Sequence, residues 1–344
     1  MEEPLVFAWI PDERSNFIRE LQLCFEQRMY TEIIDLWDPA STQFWESGFW
    51  DDYFRCGNIA LAAAASANNS IAEAEILSDM GWASLEREDF RTAKTRFVCS
   101  LSKFRLTNNP GGESRVLRYI GTMAHRQDRP GTALKYYKQS LRIILRKHDE
   151  TDGSESIKWQ IREAEVHNLM GNLYFKLHDF ASSERELIKS VELASSLPYS
   201  SRYYLGAPLL NLGRLYFLQG RYDKAKYYLH QCKQLSEELN RPAMTIGALV
   251  RLAEVAEADG KIEEAITLAT EAERQSGSDL STLREQAARL KVKVAHRMKG
   301  GIFTSVKRAV RLALMLLDLT LASPITAMRT LKYYLSTGTR GALE

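Results

Sequence analysis

The chain has 344 residues, of which 45% are apolar and 26% charged, and its net charge is only +2. These values are ordinary for a soluble protein. Nine prolines, abundant Ala, Leu, Glu and Arg, and no alternating β-branched stretches between turn dipeptides exclude a β fold and predict helix almost throughout. The four cysteines Cys24, Cys56, Cys99 and Cys232 lie far apart and share no motif. They read as small core residues in a reducing compartment, with no metal and no cofactor implied.

The N-terminus begins Met1-Glu2-Glu3, and its apolar run is confined between Pro4 and Pro11. That is the wrong charge and too short for a secretory signal, so the expected location is cytoplasmic. Residues 1–69 read as a divergent helical start. Leu21, Cys24 and Phe25, then Tyr30, Ile33, Ile34 and Trp37, have helical spacing with a corner at Tyr30. Trp45, Gly48, Phe49 and Trp50 precede a further apolar helix from Tyr53 to Ala67, which suggests two degenerate helical hairpins before the break at Asn68-Asn69-Ser70.

Residues 70–275 carry a pattern that recurs five times. A small residue in one amphipathic stretch is followed nine positions later by an aromatic or apolar residue. An alanine or serine comes three positions after that, and in most copies a bulky residue four further on. The copies are Gly81, Phe90, Ala93, Phe97; Gly121, Pro130, Ala133, Tyr137; Gly171, Phe180, Ser183, Leu187; Gly213, Tyr222, Ala225, Leu229; and Ala253, Ile262, Ala265, Ala269. Small residues in both helices let an antiparallel pair approach closely where it crosses. Phe90, Phe180 and Tyr222 plug the corner. Such a unit cannot bury its apolar face alone, so neighbours must stack.

The run from Leu77 to Phe97, and LLNLGRLYFLQGRYDKA from Leu209 to Ala225, resemble tetratricopeptide repeats. The resemblance spans about 200 residues. Its steps of 40, 50, 42 and 40 residues exceed the roughly 34 of the standard repeat. It is therefore similar to the long-repeat subtype of kinesin light chain, of arrays on bacterial STAND ATPases and of bacterial peptide-sensing regulators. It implies an all-α, right-handed α-α superhelix of five clear and up to seven hairpins, plus a C-terminal helical segment. The 50-residue step holds an insertion, Arg146 to Ser156, which reads as a solvated loop. Asn108 to Gly112 and Ser196 to Ser201 read as inter-repeat turns.

Residues 276–299 read as a capping helix ended by Gly300-Gly301. Residues 300–344 differ in character. From Arg284 onward twelve Lys or Arg face three acidic residues, +9 against −7 for the rest, which suggests an anionic partner for the tail. Leu312 to Met328 is mostly apolar but is seventeen residues long with Asp318 inside, short of the roughly 20 needed to span a membrane. Lys307, Arg308, Arg311, Leu314 and Leu317 are the expected docking residues, toward the array itself, a partner protein or, as an interfacial helix, an anionic membrane.

Catalytic chemistry is missing from the motifs. Gly260-Lys261 lacks the earlier glycine and the following Ser or Thr of a phosphate loop, and no G-x-S-x-G, H-E-x-x-H or paired C-x-x-C occurs. The chain reads as no enzyme. The pairs Tyr136-Tyr137, Tyr203-Tyr204 and Tyr227-Tyr228 are better explained by packing than by base stacking, so no nucleic acid is expected.

What remains is a groove. The resemblance implies that first-helix residues line its concave face: Arg115, Arg118, Thr122 and His125; Glu165, Asn168, Asn172 and Phe175; Asn211, Arg214 and Phe217; Val250, Arg251, Glu254 and Glu257. Arg and Asn hold a peptide backbone or carboxylate by charge-assisted or paired hydrogen bonds. Of the carboxylate clamp in chaperone-binding relatives, Asn172, Asn211 and Arg251 match, but Asn168 and Gly247 stand at the two lysine places, which argues against the chaperone tail. The expected binding set is Arg115, Arg118, His125, Asn168, Asn172, Phe175, Asn211, Arg214 and Arg251. The function expected is a non-catalytic scaffold or adaptor for a peptide or protein segment. The alternatives are a peptide-gated regulator of a partner and a peripheral membrane adaptor.

Overall fold

The computed structural model describes the backbone of residues 10–276 and 281–300, with the side chains of 13–276 and 284–294. The described residues form fourteen α-helices and one 3-10 helix, with no strand among them. Helices α1 (Ile10–Glu26), α2 (Tyr30–Glu46), α3 (Trp50–Ser66), α4 (Ser70–Glu86), α5 (Phe90–Leu106), α6 (Pro110–Arg126) and α7 (Pro130–Asp149) start at intervals of 20 residues. They are followed by α8 (Gly153–Lys176), α9 (Phe180–Ser195), the 3-10 helix (Tyr199–Leu205), α10 (Gly206–Leu218), α11 (Tyr222–Glu238), α12 (Pro242–Ala258), α13 (Ile262–Gln275) and α14 (Ser281–Gly300). The chain divides into two compact units, Met1–Met123 with Lys135–Ile144, and Ala124–Leu134 with Leu145–Glu344.

One turn design recurs. A residue with positive φ stands two positions past a helix end at Arg28, Gly48, Asn68, Glu88, Asn108, Asp128, His178, Gly220, Asn240 and Gly260. At Asn68 the N–H donates to the Ala65 carbonyl (3.1 Å), and the next N–H, of Asn69, donates to Ala64 (2.9 Å). Carbonyls left over by the ending helix are thereby satisfied. The following helix is then capped: the side chains of Asn69, Asp89, Asn109 and Asp179 each accept from the N–H three residues on.

In the first unit α2 and α3 pair as a hairpin with α1 packed against both, and α4 pairs with α5. In the second unit the hairpins are α8/α9, α10/α11 and α12/α13, with α14 on α12 and α13. The recurring glycines sit where the pattern places them, each against the bulky residue sixteen positions later. A Cβ at Gly81 would lie 2.7 Å from the Phe97 ring, and one at Gly121 2.6 Å from Tyr137. At Gly171 and Gly213 the corresponding atoms, of Leu187 and Leu229, would be 2.6 and 2.5 Å away. All four bulky side chains are fully buried. Close packing thus leaves no room for a methyl group at these crossings.

A second device was not legible in the motif. Ser100, Ser140 and Ser190 Oγ donate to the carbonyls of Ala74, Ser114 and Ala164 at 2.6, 2.8 and 2.7 Å, always 26 residues back. Cys232 occupies the same place, with Sγ 3.5 Å from the Gly206 carbonyl. These bonds pin the second helix of a pair onto the N-terminal half of its partner.

Three expectations need correction. The insertion at 146–156 is not a loop: α7 runs on to Asp149 and α8 starts at Gly153, leaving three residues between helices. Its charges explain this, because Lys147 pairs with Glu150, Lys158 with Glu155, and His148 Nδ1 meets Glu163 Oε2 of α8 at 3.0 Å. Cys56 and Cys232 are buried and Cys24 partly so, but Cys99 is exposed. Packing accounts for Tyr137, which is fully buried, whereas Tyr203 and Tyr227 remain 42% and 59% exposed.

Candidate functional site

In the second unit the first helix of each hairpin carries the expected binding residues. Asn168 and Asn172 lie on α8 and Asn211 on α10, all half-buried. Asn211 Nδ2 donates to Asn168 Oδ1 at 2.8 Å, so the two amides meet across neighbouring hairpins. The Arg214 guanidinium lies 4.5 Å from the Phe175 ring centre, a cation–π contact joining the same two helices nearer their C-terminal ends. Arg251 on α12 reaches Glu254 one turn along its own helix, at 2.7 Å. The structure therefore brings Asn168 to Asn211 and Phe175 to Arg214.

His125 belongs to this unit but offers no cation at neutral pH. Burial, with the Lys176 ammonium adding to it, pushes its imidazole down to about 4. Lys176 itself pairs with Asp128 at 3.4 Å. Two further face positions read from the sequence are covered: Val250 is 5% exposed and Glu257 4%. Glu257 Oε2 receives Lys293 Nζ of α14 at 3.2 Å, so the last helix closes this end of the face.

In the first unit Arg115 and Arg118 project from α6. Arg118 lies 5.6 Å from the Tyr119 ring centre, and Tyr119 packs on Trp82 of α4 with ring centres 4.7 Å apart. Arg115 lies 5.9 Å from the Phe104 ring, with Nε and Nη2 buried and making no hydrogen bond. Asp79 of α4 accepts from Trp37 Nε1 at 3.3 Å. Burial pushes its carboxyl up to about 6, opposed by the Arg115 charge and the Trp37 bond and reinforced by Glu75 and Asp38.

Asp79, Trp82 and Tyr119 were not among the expected residues. Their signal was present, since Asp79 and Tyr119 stand two positions before their glycines, as Asn211 does, and Trp82 one after, as Asn172 does. Lys307, Arg308, Arg311, Leu314 and Leu317 lie outside the described residues. Among the described residues no group of His, Cys, Asp or Glu is arranged to hold a metal ion, and no helix is long and apolar enough to cross a membrane.

Residues 162–238 and 204–277 match the tetratricopeptide repeat family, so this stretch carries the repeats that the residue pattern predicts. Solved structures share the fold. Aspartyl phosphate phosphatase F from Bacillus subtilis aligns at 14% identity and TM-score 0.59, over 98% of this chain and 95% of that one. A Signal Transduction ATPase with Numerous Domains protein with a tetratricopeptide repeat sensor, from Pyrococcus horikoshii, aligns at 16% identity and TM-score 0.61. That match covers 86% of this chain and 42% of that one. The apo quorum sensor NprR from B. thuringiensis aligns at 13% identity and TM-score 0.53, over 84% of each chain. At these identities the likeness is one of fold. No curated protein matches the sequence.

Proposed function

We propose that this tetratricopeptide chain is a non-catalytic scaffold or adaptor that holds an extended peptide segment of a partner protein against α8, α10 and α12. The observation that carries the reading is the Asn168–Asn211 pair. With Asn211 Nδ2 engaged on Asn168 Oδ1, the Asn168 amide N–H donors and the Asn211 Oδ1 acceptor are left without a hydrogen bond among the described residues. A peptide unit needs one acceptor and one donor, and it finds both at this pair. Asn172, one turn from Asn168, repeats the offer. Arg214, 4.5 Å from the centre of the Phe175 ring, supplies a guanidinium for a carboxylate or carbonyl, and Arg251, which a ligand would share with Glu254, supplies a second.

The test compares partner capture by the full chain with capture by the Asn172→Ala/Asn211→Ala variant, with circular dichroism on both. Loss of captured protein at unchanged helicity supports the reading. Equal capture at unchanged helicity removes it.

A further inference from the structure

The connection between α9 and α10 is unlike the others. Most turns take three residues, but here ten residues, 196–205, separate the two helices and seven of them form the 3-10 helix. Residues at both ends anchor this segment. Leu197 is 3% exposed, and Tyr204 and Leu205 pack with Ala164 and Ala194. Gln160 Nε2 of α8 donates to the Leu193 carbonyl at 2.8 Å and to Ser196 Oγ at 2.7 Å. The residues between them point outward, with Tyr199 56% and Tyr203 42% exposed and Arg202 exposed beside them.

Each outward ring carries a guanidinium. Arg202 lies 5.4 Å from the Tyr199 ring centre, and Arg241, from the α11–α12 turn, lies 4.1 Å from that of Tyr203. Neither guanidinium pairs with a carboxylate among the described residues, in a unit where Lys176, Arg221, Lys226, Arg251 and Lys293 all do. The ring contacts restrict both side chains without using their N–H donors, so less side-chain freedom is lost on binding. Exposed Tyr and Arg are also the residue types that carry most energy at protein interfaces.

We infer that Tyr199, Arg202, Tyr203 and Arg241 form a second docking surface, separate from the α8–α10–α12 face, that takes an acidic segment of a partner protein. Its carboxylates fill the two guanidinium forks while the chain lies across the tyrosine rings. Two guanidinium forks, held on rings four residues apart in the chain, favour a run of acidic residues over a single charge.

The probe is a fluorescein-labelled decapeptide of alternating glutamate and alanine, titrated by anisotropy into the full chain at low salt. A lysine–alanine decapeptide serves as the control. The expected result is saturable binding of the acidic peptide only, at least tenfold weaker in Arg202→Gln/Arg241→Gln. Binding should fall to an intermediate level in Arg202→Lys/Arg241→Lys, which keeps the charge and loses the fork, and be unchanged in Asn172→Ala/Asn211→Ala. Equal affinity in the glutamine variant, absence of saturable binding to the wild type, or loss confined to the asparagine variant would each overturn the inference. Because the four side chains are on the surface, thermal melts of the variants should overlay that of the wild type.

Discussion

The Asn211 side chain donates to that of Asn168 across 2.8 Å, and this bond sets the orientation of both amides on the face shared by α8 and α10. Without it either amide could turn, and donors and acceptors would be offered in no fixed order. With it, the pair presents donor and acceptor side by side before any peptide arrives. Such preorganisation raises affinity by reducing what is lost on binding.

The contact between Gly213 and Leu229 should be intolerant of added volume. A Cβ at residue 213 would sit 2.5 Å from the Leu229 side chain, which is fully buried. Gly213→Leu is expected to destabilise by about 1–3 kcal/mol. Gly213→Ala should cost less, and Leu229→Ala should partly rescue it. A double-mutant cycle from urea melts checks this, and strict additivity would mean the two positions do not share space.

Ser190 Oγ donates to the Ala164 carbonyl at 2.7 Å in a fully buried position. Ser190→Ala should cost about 1 kcal/mol. Ser190→Cys should cost less, since Cys232 fills the equivalent place in the next hairpin. Chemical denaturation of the three proteins distinguishes these outcomes.

Glu88 holds φ +62 at an exposed turn where six of the nine other copies use Gly or Asn. The left-handed region costs a residue with a Cβ about 1 kcal/mol. Glu88→Gly is therefore expected to raise stability by somewhat less than that, because glycine also gains freedom in the unfolded chain. A rise in melting temperature is the readout, and a fall would show that the Glu88 side chain contributes more than its backbone strain costs.

Asp79 gives a pH dependence with a definite sign. Its folded carboxyl is raised from 3.8 to about 6. Between these values the folded state binds more protons than the unfolded one, so stability falls as pH rises from about 4 to 6. Asp79→Asn should remove that slope and raise stability at pH 7 by on the order of 2 kcal/mol. Melts at pH 4, 5, 6 and 7 test it; an unchanged slope in the variant places the dependence elsewhere.

The fold was legible because the crossings repeat. Gly81, Gly121, Gly171 and Gly213 stand in one phase with Phe97, Tyr137, Leu187 and Leu229, and close approach permits no other residue type there. The serine bonds were harder to see, since a buried hydroxyl on a carbonyl reads in sequence as one more small polar residue until a partner 26 positions back is known. The insertion misled because charge and glycine signal a loop, yet its own Lys–Glu pairs extend two helices. Cys99, Tyr203 and Tyr227 show the limit of composition: residue type favours burial, but which side of a helix faces water is decided by the neighbours. Of the candidate site, the helices that carry its residues were readable. The pairing of Asn168 with Asn211 was not, because it depends on how adjacent hairpins stack.

The central claim is that α8, α10 and α12 hold an extended peptide. Its most direct test is photo-crosslinking of a peptide selected on the full chain from a random library and carrying a benzophenone residue, with the adducts mapped by mass spectrometry. The account predicts adducts on residues flanking Asn172, Asn211, Arg214 and Arg251, abolished by competition with unlabelled peptide. Adducts confined to α9, α11 or α13, with none on the first helices of the hairpins, would contradict it.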